Sequence, residues 1–125
     1  LIAMLCLTRP GDSVILSEES HPYHYEGANL ARIAGLLALP IADPLGKITP
    51  GQVREKICQV DDPHFSHTTL LALENTMNRG GGACYTLEEF AATQILSAAE
   101  GAAHEFNQAT NEVRKHGAVP STRET

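Results

Sequence analysis

The chain has 125 residues and a formal net charge of −6, with 9 basic against 15 acidic side chains. This length suits one domain, and 42% hydrophobic residues are enough for an ordinary core. Because the charges are interspersed and form no basic face, neither a nucleic acid nor a membrane partner is expected. No apolar run approaches membrane-spanning length. The three cysteines show neither paired nor metal-type spacing, which predicts reduced thiols and a cytoplasmic location.

The first third of the chain predicts a helix, a strand, a helix and a strand. Residues 1–7 are helical in pattern until Pro10 stops them, and the apolar run 13–16 predicts a strand buried on both faces. A second helix is expected from about 22 to 34, with Gly35 at its C-terminus. Its apolar stripe comprises Ala28, Leu30, Ala31 and Ala34. Residues 36–41 predict the next strand, which Pro40 directs towards a sheet edge.

Two capping boxes mark later helices. Thr49 and Gln52 have the spacing at which each side chain bonds the other's backbone N–H, and Thr86 and Glu89 repeat the pattern. The second box opens a long helix whose apolar positions run from Leu87 to Val113, with a break near Gly101.

A third strand is predicted between the two boxes, at residues 68–73, and a glycine-rich loop follows at 80–82. Three glycines allow backbone N–H groups to approach an anion, but a phosphate-loop pattern is missing and the signal is weak.

The segment 21–27 concentrates titratable and aromatic side chains. It holds two imidazoles, two phenols and a carboxylate directly after the first strand. Ligands of open α/β sheets bind at the carboxyl ends of strands. Pro22 suits a first helical position, so His21 is expected to cap the helix. Residues 74–76 end the third strand, and parallel strands would place them at the same edge.

Strands that alternate with helices predict an α/β fold with a mostly parallel sheet and flanking helices. Three strands are few for such a sheet, whose two faces both need cover. The chain is therefore expected to be a piece of a longer protein.

The ordered motifs resemble threonine aldolases of the β-eliminating lyase group, which are pyridoxal-phosphate enzymes. The motifs that carry the resemblance are 8–15, 21–26, 71–76 and 80–82. It implies part of the large domain of an aminotransferase-like fold, with residues 1–120 as a partial cofactor-binding domain and 121–125 as a divergent tail. The activity that it implies is cleavage of the Cα–Cβ bond of a β-hydroxy amino acid by a homodimer or homotetramer. From threonine or allo-threonine the products would be glycine and acetaldehyde.

The resemblance also implies site residues. His21 matches the histidine that stacks on the cofactor ring and is a candidate for proton transfer at the substrate hydroxyl. Glu26 matches a glutamate of the same helix, expected to line the cofactor pocket. Glu74, Asn75 and Thr76 match the Glu-Asn-Thr beside the cofactor, and Asn75 and Thr76 are expected to bind it.

The sequence departs from the family at two kinds of position. Met77 stands where many members carry a histidine, and a thioether accepts no proton. None of Lys47, Lys56 and Lys115 resembles the lysine to which the cofactor is attached. The isolated chain is therefore expected to be inactive.

Two alternatives from other classes remain open. The pairs His21/His24 and His64/His67 are each three residues apart, and four imidazoles would satisfy zinc, although the carboxylate of a zinc-protease helix is missing. The chain would otherwise be a catalytically incomplete module that serves only assembly of subunits.

Overall fold

A three-stranded parallel sheet forms the centre of the computed structural model, which describes residues 1–58 and 62–99. The strands are β1 (Ser13–Ser17), β2 (Leu37–Ile41) and β3 (Thr68–Ala72), in the spatial order β2-β1-β3. All five residues of β1 are buried. The predicted α/β fold with a parallel sheet is confirmed, and Pro40 lies on a flanking strand of the described sheet, as predicted.

Helices connect and cover the strands. They are α1 (Ile2–Leu7), α2 (His21–His24), α3 (Asn29–Arg32), α4 (Pro50–Lys56) and α5 (Leu87–Ala99), with a 3-10 turn at Glu26–Ala28. The predicted continuation of the last helix to Val113, the break near Gly101 and the tail 121–125 lie outside the described residues. Within the described ranges, no helix is long and apolar enough to cross a bilayer.

Side chains of β1 alternate between two hydrophobic clusters, because successive residues of a strand face opposite sides. Val14 and Leu16 belong to a cluster with Met4 of α1 and Leu30 of α3. Ile15 belongs to the cluster on the other side, which includes Ile48, Ile41, Val53 and Leu71. Both faces of the central strand are therefore covered, as its unbroken apolar run predicts.

Both capping boxes form. The Thr49 hydroxyl accepts from the backbone N–H of Gln52, whose side-chain oxygen accepts from the N–H of Thr49 at 2.9 Å. Thr86 and Glu89 exchange the equivalent bonds at 2.8 and 3.2 Å. The prediction that Leu87 belongs to the apolar face of this helix is wrong, because the residue is 79% exposed at the start of α5.

The predicted helix 22–34 is wrong in one respect: it is broken at residues 26–28. Glu26, Gly27 and Ala28 have φ values of 65°, 61° and 58°, which right-handed helix excludes. The predicted apolar stripe shrinks accordingly, since Leu30 and Ala34 are buried whereas Ala28 and Ala31 are exposed. Gly35 has φ +66° just past α3, as a helix-ending glycine requires.

The glycine-rich loop is a tight turn and not an anion cradle. Backbone hydrogen bonds pair Met77 with Ala83 and join the N–H of Gly82 to the oxygen of Met77 at 2.9 Å. The N–H of Gly81 bonds the oxygen of Asn78. The N–H groups of Gly81 and Gly82 are therefore committed within the turn. Gly80 is buried, and a Cβ atom at this position would overlap the backbone carbonyl of Leu45.

Gly80→Ala in the full-length parent should lower the free energy of unfolding by about 1–3 kcal/mol, because the new methyl overlaps the Leu45 carbonyl. Gly51→Ala is the matched control. It lies in α4 with open space where a Cβ atom would stand, so a methyl should stabilise the helix by up to about 1 kcal/mol. Denaturant unfolding of both variants measures the difference, and equal effects would refute the proposed contact.

Candidate functional site at the carboxyl edge of the sheet

The site forms where the parallel strands β1 and β3 end at the same edge. The backbone N–H of His21, four residues after β1, donates to Oε2 of Glu74, two residues after β3, at 2.6 Å. The other oxygen of Glu74 accepts from the N–H of Asn78 at 3.2 Å. One carboxylate thus joins the start of α2 to the loop after β3. The expectation that these segments share an edge is confirmed.

The imidazole of His21 contacts a second carboxylate. Its Nε2 lies 2.7 Å from Oε1 of Glu26, and its ring lies 4.9 Å from that of Tyr25 at an interplanar angle of 33°. The His21 and Glu26 side chains are 51% and 53% exposed, so the pair is open to solvent and to ligands. The predicted capping role is wrong, because Ser20 is the N-cap and Pro22 the second helical residue.

The helix break creates this pair. In a continuous α-helix, residues five apart point about 140° away from each other around the axis. The extended backbone of Tyr25 (φ −115°, ψ −163°) and the positive φ of Glu26 instead bring the Glu26 carboxylate to the His21 ring. The sequence shows only Gly27 as a signal for such a turn, since Glu26 and Ala28 rarely adopt positive φ.

A hollow lies between α1 and this edge, and we call it the strand-end hollow. Its walls combine apolar side chains with the polar groups described above, and include Met4, Ser20, His21, Pro22, Leu73 and Glu74. The hydroxyl of Ser20 is buried and has no hydrogen-bond partner among the described residues. A second hollow shares Met4, His21 and Pro22 and continues to Glu26. His21 therefore borders both.

The other predicted site residues lie further along the loop after β3. Asn75 and Thr76 are exposed, and Oδ1 of Asn75 accepts from the backbone N–H of Tyr85 at 3.1 Å. Met77 is only 1% exposed and packs against Gly46 and Gly80. Its thioether is thus part of the loop core and does not line the strand-end hollow.

One long-range contact near the site has no sequence signal. Arg79 Nε donates to Glu19 Oε2 at 2.7 Å, which ties the glycine turn to the segment before His21. The Glu19 carboxylate first, and then the Tyr25 phenol, raise the pKa of Arg79. The two partners are 60 residues apart, and no local pattern connects them.

The zinc alternative is wrong for the described part of the chain, which contains no group of three or more His, Cys, Asp and Glu side chains able to hold a metal. His64 instead bonds Asp62, with Nδ1 and Oδ1 2.8 Å apart. The backbone and side-chain bonds from His64 lower the pKa of Asp62.

Lys47 and Glu89 form an ion pair at 2.7 Å, and the Lys47 hydrogen bond is the main cause of the lowered pKa of Glu89. A lowered carboxylate pKa stabilises the fold at pH values above the usual pKa of 4.5, and this contribution is lost as pH falls through the lowered pKa.

Lys47→Met in the full-length parent should return the Glu89 pKa towards 4.5, as carboxyl NMR titration would measure. Lys56→Met, at the exposed end of α4, should leave it unchanged.

The three-stranded parallel sheet with its flanking helices is consistent with the large domain of a pyridoxal-phosphate-dependent fold. The model of the β-eliminating lyase family matches residues 1–106, and the chain belongs to that family. The predicted family resemblance is thereby confirmed. Members of this family generally depend on pyridoxal phosphate.

Similar proteins include two kinds of enzyme. The chain is 33% identical over 91 residues to alanine racemase TOXG of Cochliobolus carbonum, which covers 68% of the chain and 22% of that protein. It is 35% identical over 79 residues to the low specificity L-threonine aldolase of Escherichia coli K12, with coverage of 62% and 23%. A probable low-specificity L-threonine aldolase of Schizosaccharomyces pombe is 31% identical over 94 residues, with coverage of 74% and 24%. The chain thus spans less than a quarter of each relative's length.

Proposed function

We propose that the full-length parent is a pyridoxal-phosphate-dependent lyase that cleaves the Cα–Cβ bond of a β-hydroxy amino acid, as in threonine or allo-threonine to glycine and acetaldehyde. The observation that carries the proposal is the anchored His21: its backbone bonds Glu74 and its open imidazole bonds Glu26, at the carboxyl edge of the sheet. The family of the chain supports it. We also propose a homodimer or homotetramer in the cytoplasm.

The strand-end hollow fits a flat, partly polar cofactor. Apolar side chains such as Met4 and Leu73 supply contact area, and the exposed face of His21 supplies a planar surface. The unpartnered hydroxyl of Ser20 adjoins the hollow, where a polar ligand atom would satisfy it. Asn75 and Thr76 are proposed to bind the cofactor from the loop after β3.

Bound pyridoxal phosphate supplies an electron sink for the bond broken at Cα, while the protein supplies orientation and proton transfer. His21 is the proposed base, because a neutral imidazole accepts a proton near neutral pH. Glu74 holds the backbone of His21 in place, and Glu26 holds its ring.

The test is aldehyde release by the purified full-length protein. Loaded with cofactor, it should bind the cofactor and release acetaldehyde from threonine or allo-threonine. Failure to release aldehyde from these and other β-hydroxy amino acids would refute lyase function.

Amino-acid racemisation is a second candidate, because the chain is 33% identical to an alanine racemase over 91 residues. In that reaction the bond from Cα to hydrogen breaks, and the bond to Cβ stays intact. Chiral analysis of alanine incubated with the same preparation separates the two functions. Racemised alanine without aldehyde release from β-hydroxy amino acids would favour the racemase.

A further inference from the structure

We infer that Glu26 is a positioning residue. Its carboxylate accepts a hydrogen bond from Nε2 of His21, so that Nδ1 is the atom that accepts the substrate proton. The inference rests on the proposed lyase function and deepens it. Glu26 acts through His21 and does not itself take the substrate proton.

The hydrogen-bonding roles follow from chemistry. An ionised carboxylate only accepts, so the 2.7 Å contact with Oε1 of Glu26 requires a proton on Nε2. A neutral imidazole carries one N–H, and Nδ1 then presents a lone pair. In the described part of the chain, the hydrogen bonds of His21 use its backbone N–H, its backbone oxygen and Nε2, which leaves Nδ1 for a ligand.

The surroundings hold the ring in one orientation. The Tyr25 ring lies 4.9 Å from the imidazole of His21 at an interplanar angle of 33°. The carboxylate of Glu74 accepts a hydrogen bond from the backbone N–H of His21. The extended backbone of Tyr25 and the positive φ of Glu26 bring the Glu26 carboxylate to the Nε2 edge. Backbone, one ring neighbour and one ring nitrogen are therefore fixed, while the side chain stays half exposed beside the strand-end hollow.

The proton transfer balances. As the Cα–Cβ bond breaks, its electron pair stays with Cα, and the O–H pair of the β-hydroxyl becomes the second bond of the aldehyde carbonyl. Nδ1 takes the hydroxyl proton, and the negative charge of the Glu26 carboxylate stabilises the resulting imidazolium. The same proton then completes glycine at Cα.

Methylated histidines at position 21 of the cofactor-loaded full-length protein test which nitrogen reacts. Nδ1-methylhistidine blocks the proposed acceptor and should lower kcat about 10²-fold or more. Nε2-methylhistidine leaves the Nδ1 lone pair, and Glu26→Ala makes room for its methyl group. That combination should keep kcat within about tenfold of Glu26→Ala with ordinary histidine. An active Nδ1-methyl protein, or a larger loss in the Nε2-methyl one, would overturn the assignment.

A second readout needs neither activity nor cofactor. In ¹⁵N-histidine NMR spectra of the full-length protein, the Nε2–H signal of His21 should be visible, and Glu26→Ala should abolish it through faster solvent exchange. Glu55→Gln, which removes a charge from the exposed surface of α4, should leave the signal intact. A signal that survives Glu26→Ala overturns the positioning role. A wild-type protein without lyase activity refutes the proposed function and with it the assignment of Nδ1, while the NMR result still decides whether Glu26 holds the ring.

Discussion

His21→Phe in the full-length protein is expected to retain the cofactor while kcat falls about 10²–10⁴-fold, the usual range for general acid–base catalysis. Phenylalanine preserves a flat apolar face for stacking but has no nitrogen to accept a proton. His21→Ala removes both properties and should lose cofactor and rate together. Visible absorbance of bound cofactor and a coupled aldehyde assay measure the two effects separately.

His24→Phe is the matched control, since this second imidazole of α2 is also exposed and meets the Tyr23 ring edge-on at 5.5 Å and 77°. It should change kcat by less than about threefold, because surface substitutions away from special features have small effects. Wild-type turnover in His21→Phe would leave stacking as the sole role of His21 and contradict proton transfer.

The 125-residue chain alone is expected to show no lyase activity, which is the largest effect that we predict. Lys47 is engaged by Glu89 and lies 5.7 Å from the centre of the Tyr85 ring, and Lys56 is exposed at the end of α4. Neither lines the strand-end hollow, and Lys115 lies outside the described residues. Added cofactor should therefore give no lysine-dependent visible absorbance, whereas the full-length protein should give it.

Poor folding of the isolated chain is expected for a separate reason. In the described sheet, β2 and β3 are hydrogen-bonded to β1 along one edge, and their outer edges are unpaired. Unpaired strand edges promote association between chains. Large apolar side chains such as Ile2, Leu37 and Phe65 are 79%, 53% and 56% exposed. Thermal melting with light scattering should report aggregation. A cooperative melt of a monomer would contradict this prediction, and lysine-dependent absorbance would contradict the previous one.

The elements that the sequence predicts well are governed by local chemistry. The buried strand at β1, the capping boxes at Thr49 and Thr86 and the glycine after α3 each follow from neighbouring residues. The shared edge of His21 and Glu74 follows from parallel strands, whose carboxyl ends meet.

The features that the sequence does not predict depend on tertiary contacts. Gly27 is the one sequence signal of the left-handed turn, and it does not by itself exclude a continuous helix through residues 26–28. Met77 stands at a motif position where many family members carry a histidine, whereas packing against Gly46 and Gly80 buries it away from the strand-end hollow. The Arg79–Glu19 bond joins residues 60 apart, beyond any local pattern.

The left-handed turn also couples ligand binding at the site to the backbone conformation of residues 26–28. A left-handed conformation costs a non-glycine residue such as Glu26 or Ala28 about 1–2 kcal/mol, so we expect the turn to compete with a right-handed helix in which the pair with His21 is lost. A ligand that binds better when the pair is formed shifts this equilibrium towards the turn, and by linkage the turn strengthens that ligand's binding by the same factor. Substitutions at position 27 would therefore tune ligand affinity without contacting the ligand.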